Sequence, residues 1–314
     1  MDDVLKTVAV VDIGSNTVKL AVYRVDVEKK KFKEVYKESV YARLLNCVDE
    51  KGCLTEEGFI KARIALESFK EKIHFFHPDQ VIAFATFVIR EIKNRHEFIE
   101  RMKDLFDIEI LSGEEEAYYS TLGALADVKY KTFITFDIGG GSLEICRIRN
   151  RKIEKCKSYP LGTLEFKECI SSEGGNYDVK CIRGKVKRYV APDKSIFENT
   201  SRLVGIGGSI RAIKKITGKR KIKKKLLKDV IKEIKKIPSA ELAFKYKIPI
   251  ERTKTVLTAS VVALQIMDIF NCKELVISKY GIREGIIYER VIKGEKRDRP
   301  FKSETSDKQG VKLA

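Results

Sequence analysis

VVDIGSNTVKLAVY at residues 10–23 and FDIGGGSLEICRI at residues 136–148 decide how this chain folds. In each, an apolar run ends in Asp-Ile-Gly, crosses a turn of small residues and resumes as an apolar-rich run. That is the pattern of two strands joined by a tight glycine turn. Such turns let backbone N–H groups converge on an anion. Asp12 and Asp137 lie about one domain length apart. The economical reading is two related domains, each presenting one phosphate-binding hairpin to a shared cleft.

Working outward, KTVAVVDI, TVKLAVYRV and KFKEVYKESV read as three strands over residues 5–40. A helix follows from Thr55 to about Phe76, with two glutamates in its first turn. QVIAFAT (80–86) reads as a strand, Arg90 to Lys103 as a helix, IEIL (108–111) as a strand, and Ser112 as the cap of a helix that includes GEEEAYYSTLGALA. The second half repeats this order, with strands at 131–138, 142–149 and 152–159. A short strand, 202–207, then runs into Gly207-Gly208-Ser209 and a helix. Residues 253–270 read as an apolar helix, 274–278 as a strand and 281–292 as a final helix. Strands interleaved with helices around a duplicated hairpin give an α/β fold with two mixed sheets. The implied division is 1–118, 119–292 and a disordered, charged tail at 293–314, with a terminal helix at about 281–293 packing back on the first domain.

Composition narrows the chemistry. No apolar run approaches the roughly 20 residues of a membrane span, and MDDVLKT does not read as a signal peptide, so the expected location is cytoplasmic. The seven cysteines contain no CxxC pair and read as free thiols in a reducing compartment. With only three histidines, any metal is expected on oxygen ligands, as Mg²⁺ or Mn²⁺. The net charge of +18 is concentrated between Arg211 and Lys236, where thirteen Lys or Arg residues face only Asp229 and Glu233. Ile222, Leu226, Leu227, Val230, Ile231 and Ile234 fall there at helical spacing. The stretch reads as an amphipathic helix whose basic face is either solvated or a polyanion patch, at Lys219, Arg220, Lys221, Lys223, Lys224 and Lys225.

Within the first hairpin, Ser15, Asn16 and Thr17 offer hydrogen-bond donors to phosphate oxygens, and Gly14 is expected in a conformation other residues resist. In the second, Gly139, Gly140, Gly141 and Ser142 let an anion approach backbone N–H groups. Asp12 and Asp137 cannot hold phosphate; their natural role is to hold a divalent cation, largely through water. Glu114, Glu115 and Glu116 open a helix, where carboxylates are ordinary. Alternatively, one of them orients and deprotonates a water. Residue types alone leave both open.

The ordered set DIGSN, ATxxxR (Ala85 to Arg90), SGxEEA (Ser112 to Ala117), DIGGGSxE (Asp137 to Glu144), GGS (Gly207 to Ser209) and YGIREG (Tyr280 to Gly285) resembles the exopolyphosphatase / guanosine pentaphosphate phosphohydrolase family. The resemblance runs over about residues 5–292. It implies two actin-like (ribonuclease H-like) domains around an interdomain cleft and Mg²⁺-dependent hydrolysis of a terminal phosphoanhydride. The substrate is then inorganic polyphosphate or guanosine pentaphosphate, the first favoured by the charge. It implies Glu116 as the base, with Glu115 the second choice. Arg43, Arg90, Gly208 and Ser209 become phosphate ligands, and Glu144 organises metal or water. Thr17 stands where that family usually has Ser, and Lys19 is unusual on its strand. Members of that family with long C-terminal helical extensions use them to bind longer chains, so processive action on very long polyphosphate is not expected here, and short chains or a nucleotide tetra- or pentaphosphate stay open. A non-catalytic sensor binding polyphosphate or nucleic acid is the alternative of a different class, and a homodimer is left open.

Overall fold

The computed structural model describes residues 5–170, 177–197 and 200–295. The tail expected from 293 therefore lies, from 296 onward, outside the described residues. The chain divides into two units. The first comprises residues up to Glu116 together with those from Ile286, and the second is Ala117–Gly285.

In the first unit, β1 (Leu5–Ile13), β2 (Val18–Asp26) and β3 (Lys31–Val40) form an antiparallel meander. The helix α1 (Glu56–Phe76) leads to β4 (Gln80–Ala85). Then α2 (Phe87–Glu91) and α3 (Arg95–Met102) precede β5 (Ile108–Ile110). The sheet order is β3-β2-β1-β4-β5, with β4 parallel to β1 and β5 parallel to β4. Central β1 is buried on both faces from Val8 to Ile13, as a covered sheet requires. Edge strand β3 alternates exposed and half-buried positions with lysines outward, which discourages pairing with another chain. The helix expected over 90–103 is broken. Asn94 turns its amide to the Leu54 backbone, accepting from N–H at 2.8 Å and donating to C=O at 3.0 Å. That side-chain bond holds the chain out of helix between α2 and α3.

The helix α4 (Gly113–Asp127) is followed by β6 (Phe133–Ile138), β7 (Leu143–Arg149) and β8 (Lys152–Tyr159). Next come α5 (Val179–Val190), β9 (Arg202–Ile206), α6 (Gly208–Thr217), β10 (Lys221–Lys223), α7 (Lys224–Ile234) and α8 (Ser239–Tyr246). The unit closes with α9 (Ile250–Ile269), β11 (Glu274–Ile277) and α10 (Ile282–Ile286). Its sheet order is β10-β11-β9-β6-β7-β8. Read from β8, this is the first sheet again: a three-strand meander, then two parallel strands, with β10 added at the edge. Fifteen of the twenty residues of α9 are buried, as expected of a helix apolar all round. Its Val256, Leu257, Val261 and Val262 join Phe136, Ile145 and Leu203 in one core. Truncating a side chain such as Phe136 to alanine costs about 3–5 kcal/mol in such a setting.

Three expectations change here. The basic stretch is not one helix, because Ile222 is buried in β10 between outward Lys221 and Lys223, paired with β11. The alternation of a strand prevails there over helical spacing. After α10, residues 287–292 continue as a π-helical turn. Four cysteines are paired, not free. Cys146 and Cys156 face each other across β7 and β8 with Cα atoms 4.1 Å apart, and Cys169 joins Cys181. Residues ten and twelve apart in sequence are brought together by the hairpin and by the Ile170–Tyr177 bridge, which spacing alone does not display. Thiol titration of the denatured, unreduced protein is expected to find three free thiols, at Cys47, Cys53 and Cys272. Seven would refute the pairing.

Candidate functional site

In the first unit the Gly14–Thr17 turn is closed by the Gly14 N–H donating to the Thr17 carbonyl at 3.1 Å. Gly14 does not adopt a left-handed backbone, contrary to expectation. What restricts it is space: a Cβ would fall 3.1 Å from the Thr17 oxygen. The next loop is fastened to this turn, with the Arg43 N–H on Asn16 C=O and the Leu45 N–H on Ser15 C=O, both at 3.1 Å. Arg43 is exposed and left-handed, at φ 50°. Such conformations concentrate at functional sites because surrounding bonds must hold them. Ser15 and Thr17 are buried, and Asn16 is half-buried.

The three glutamates of α4 divide their work. Glu115 forms a capping box: its N–H donates to Ser112 Oγ at 3.1 Å, and its carboxylate accepts the Ser112 N–H at 2.8 Å. Burial, and then the neighbouring Glu115, raise the Glu114 carboxyl above its ordinary value. Glu116 accepts from the Arg90 guanidinium at 3.1 Å, with both side chains largely buried. Arg90 also donates to the Leu111 carbonyl at 2.8 Å and to Glu91 at 3.2 Å. The structure thus places Arg90 on Glu116, where the sequence pointed to phosphate. This pair lies one helical turn from the glycine turn, since Arg90 N–H bonds Thr86 C=O and Thr86 N–H bonds Ile13 C=O.

Each hairpin sets a residue directly opposite its aspartate, seven positions on. In the first it is Lys19, whose Nζ donates to Asp12 Oδ2 at 2.9 Å. In the second it is Glu144, which accepts from Ser158 at 2.8 Å, while Asp137 accepts from Ser120. The repeated frame therefore carries a compensated carboxylate in one unit and a carboxylate pair in the other. Two carboxylates fit Mg²⁺, which keeps several waters. Among the described residues, no group of three or more His, Cys, Asp or Glu could hold a metal ion.

Residues that motif reading passed over complete the second unit's turn. Thr163 donates to the Gly139 carbonyl from both N–H and hydroxyl, at 2.9 and 3.2 Å, and the Leu164 N–H donates to Gly140 C=O at 2.8 Å. A Cβ on Gly162 would lie 2.1 Å from the Gly140 oxygen. At the GGS motif, Gly207 has φ +105°, and a Cβ there would lie 2.9 Å from Asp137 Oδ1. Ser209 pairs with Thr255 at 2.8 Å, and Arg252 packs against Gly208 with NH1 3.5 Å from Ser209 Oγ. Desolvation lowers the Arg211 guanidinium from its usual value, with Glu284 pulling it back. Glycine and threonine after a strand end were the available signal for Gly162 and Thr163. Arg252 had none.

Of the basic patch, Arg220 is bound to Asp127, and Lys224 pairs with Asp268 at 3.0 Å. Lys219, Lys221, Lys223 and Lys225 are exposed.

Fold and site together define a two-unit α/β protein built on a repeated, aspartate-led glycine turn. The chain belongs to the Ppx/GppA phosphatase family, whose model matches residues 21–293. It is similar to exopolyphosphatase 2 of Mycobacterium tuberculosis, at 28% identity over 181 residues, covering 54% of this chain and 56% of that one. It is also similar to guanosine-5'-triphosphate,3'-diphosphate pyrophosphatase of Pseudoalteromonas atlantica, at 25% identity over 304 residues, 93% of this chain and 60% of that one. The chain thus spans little more than half the length of these two relatives. The crystal structure of the Aquifex aeolicus family member matches with TM-score 0.79 at 24% identity, over 93% of this chain and all of that one. That likeness bears out the expected fold class. Among the described residues, no helix is long and apolar enough to cross a membrane.

Gly162→Ala is expected to displace the Gly139–Ser142 turn and cost about 1–3 kcal/mol as an overpacked site. A thermal melt unchanged from wild type would show that the loop relaxes freely.

Proposed function

We propose that this chain is a phosphoanhydride hydrolase that removes the terminal phosphate of inorganic polyphosphate with the help of a divalent cation. The observation carrying this reading is the division of labour at the start of α4. Glu115 is consumed by the cap, whereas Glu116 is held by a guanidinium next to an anion-binding turn. A carboxylate fixed in that way has no capping duty and is suited to water.

In this mechanism Glu116 orients a water and accepts its proton as oxygen attacks the terminal phosphorus. Arg90 is a positioning residue, holding Glu116 in one orientation through its guanidinium. The exposed Arg43, with Ser15, Asn16 and Thr17, binds equatorial oxygens, where donors matter most as charge develops, and the backbone of residues 139–142 is the second unit's candidate phosphate turn. Asp137 and Glu144 would hold Mg²⁺, which supplies charge neutralisation on the phosphate oxygens. Asp12 contributes less, because Lys19 already compensates it. Guanosine pentaphosphate is the second reading, favoured by a match to the pyrophosphatase over 93% of this chain. The location expected is cytoplasmic.

Glu116→Gln is expected to lower kcat by about two to four orders of magnitude with substrate binding retained. Glu115→Ala should chiefly lower stability, by about 1 kcal/mol as lost caps do. Phosphate release at wild-type rate from Glu116→Gln would refute the assignment. Activity should also need Mg²⁺ or Mn²⁺; full turnover after exhaustive EDTA treatment would remove Asp137 and Glu144 from the scheme.

A further inference from the structure

The second unit contains a cavity of about 710 Å³. Its walls come from the loop after β8, the α7–α8 connection and the first turns of α9. They are bonded to both glycine turns of that unit. Thr163 and Leu164 line it, and their N–H groups donate to Gly139 and Gly140 carbonyls. Thr255 lines it too, and shares its hydroxyl bond with Ser209. The cavity wall is therefore hydrogen-bonded to both turns.

Among the described residues, four lysines line it: Lys167, Lys235, Lys236 and Lys254. All are exposed, and none has an ion-pair partner among the described residues. Among the described residues, no aspartate or glutamate contributes to the wall. Its other polar side chains are hydroxyls, and that of Tyr177 is spent on the Lys254 carbonyl at 2.8 Å. A wall of ammonium and hydroxyl groups suits a ligand made only of acceptors. A guanine edge also carries N–H donors, which call for a carboxylate or amide acceptor, and the described wall residues include no side chain of that type. Leu242 and Leu257 lie in the same wall. Apolar surface beside the lysines lowers the local dielectric and strengthens their attraction for anions. The 219–225 face is weaker by comparison, since Asp127 and Asp268 already engage two of its six cations.

We propose that this cavity holds the phosphates of a linear polyphosphate chain lying beyond the one being hydrolysed, so that its four lysines set chain-length preference. The inference rests on the phosphoanhydride-hydrolase reading above. Lysine is a point-charge phosphate ligand on a flexible stem, which tolerates many positions of a uniform chain better than a planar guanidinium fork.

The test uses the full chain carrying Lys235→Glu, Lys236→Glu and Lys254→Glu together, with a Gln version to separate lost attraction from added repulsion. A control of equal charge change carries Lys219→Glu, Lys221→Glu and Lys225→Glu. kcat/KM is measured on triphosphate, long-chain polyphosphate and guanosine pentaphosphate. Equilibrium binding of long-chain polyphosphate is measured in a Glu116→Gln background. For the cavity variants, the long-chain to triphosphate ratio of kcat/KM should fall about tenfold or more. The log–log salt dependence of long-chain binding should become shallower by about one unit per lysine removed, as for phosphate contacts generally. An unchanged ratio, a fall seen only in the control, or a fall confined to guanosine pentaphosphate would each overturn the proposal. If the wild type turned over none of the three substrates, the hydrolase reading would fail. Binding alone would then decide the cavity: loss in its variants upholds the anion site, and unchanged affinity removes it.

Discussion

Closure of a four-residue turn by one backbone hydrogen bond is the constraint on which the rest of the site depends. Gly14 N–H to Thr17 C=O, and Gly139 N–H to Ser142 C=O, lock the register of two antiparallel pairs. Because strand register has period two, a slip of one residue would move every side chain to the opposite face. With register locked, the residue seven beyond each aspartate must stand opposite it. Lys19 meets Asp12, and Glu144 faces the strand position of Asp137.

This shared frame separates what duplication preserved from what divergence changed. The backbone repeat is close: a meander, then two parallel strands, in both sheets. The chemistry at the equivalent position is opposite in sign. A lysine beside Asp12 offers an ammonium where a cation would otherwise be attracted, whereas Asp137 and Glu144 add their negative charges. One hairpin frame thus carries an ammonium opposite its aspartate in one unit and a carboxyl group in the other, with no change of fold.

The surroundings of the second turn show how close backbone approach creates specificity. Gly162 is tolerated only without a side chain, and its neighbours Thr163 and Leu164 satisfy the carbonyls of Gly139 and Gly140. With those carbonyls occupied, the turn is held from behind. Buried backbone acceptors would otherwise carry a desolvation cost of about 1–3 kcal/mol each. The same segment then forms one wall of the lysine-lined cavity, so support of the turn and shape of the cavity are linked through three consecutive residues.

The hairpins, the strand order within each repeat and the family resemblance were all legible in the amino-acid sequence. Alternating apolar residues, Asp-Ile-Gly junctions and Ser112 before three glutamates are local signals, written within a few residues of where they act. Lys19 stood out in the sequence as unusual on its strand, whereas its opposition to Asp12 came from the strand register. Tertiary structure alone decided that Glu115 caps while Glu116 meets Arg90. Both residues have the same composition and the same helix, and the choice depends on which face meets α2. It also decided that Cys146 faces Cys156, that Ile222 leaves the basic stretch for a sheet edge, and that lysines from three separate segments surround one cavity. Local preference acts through the backbone of neighbouring residues. Contacts between distant segments depend on how whole elements pack, and no short stretch of sequence records that.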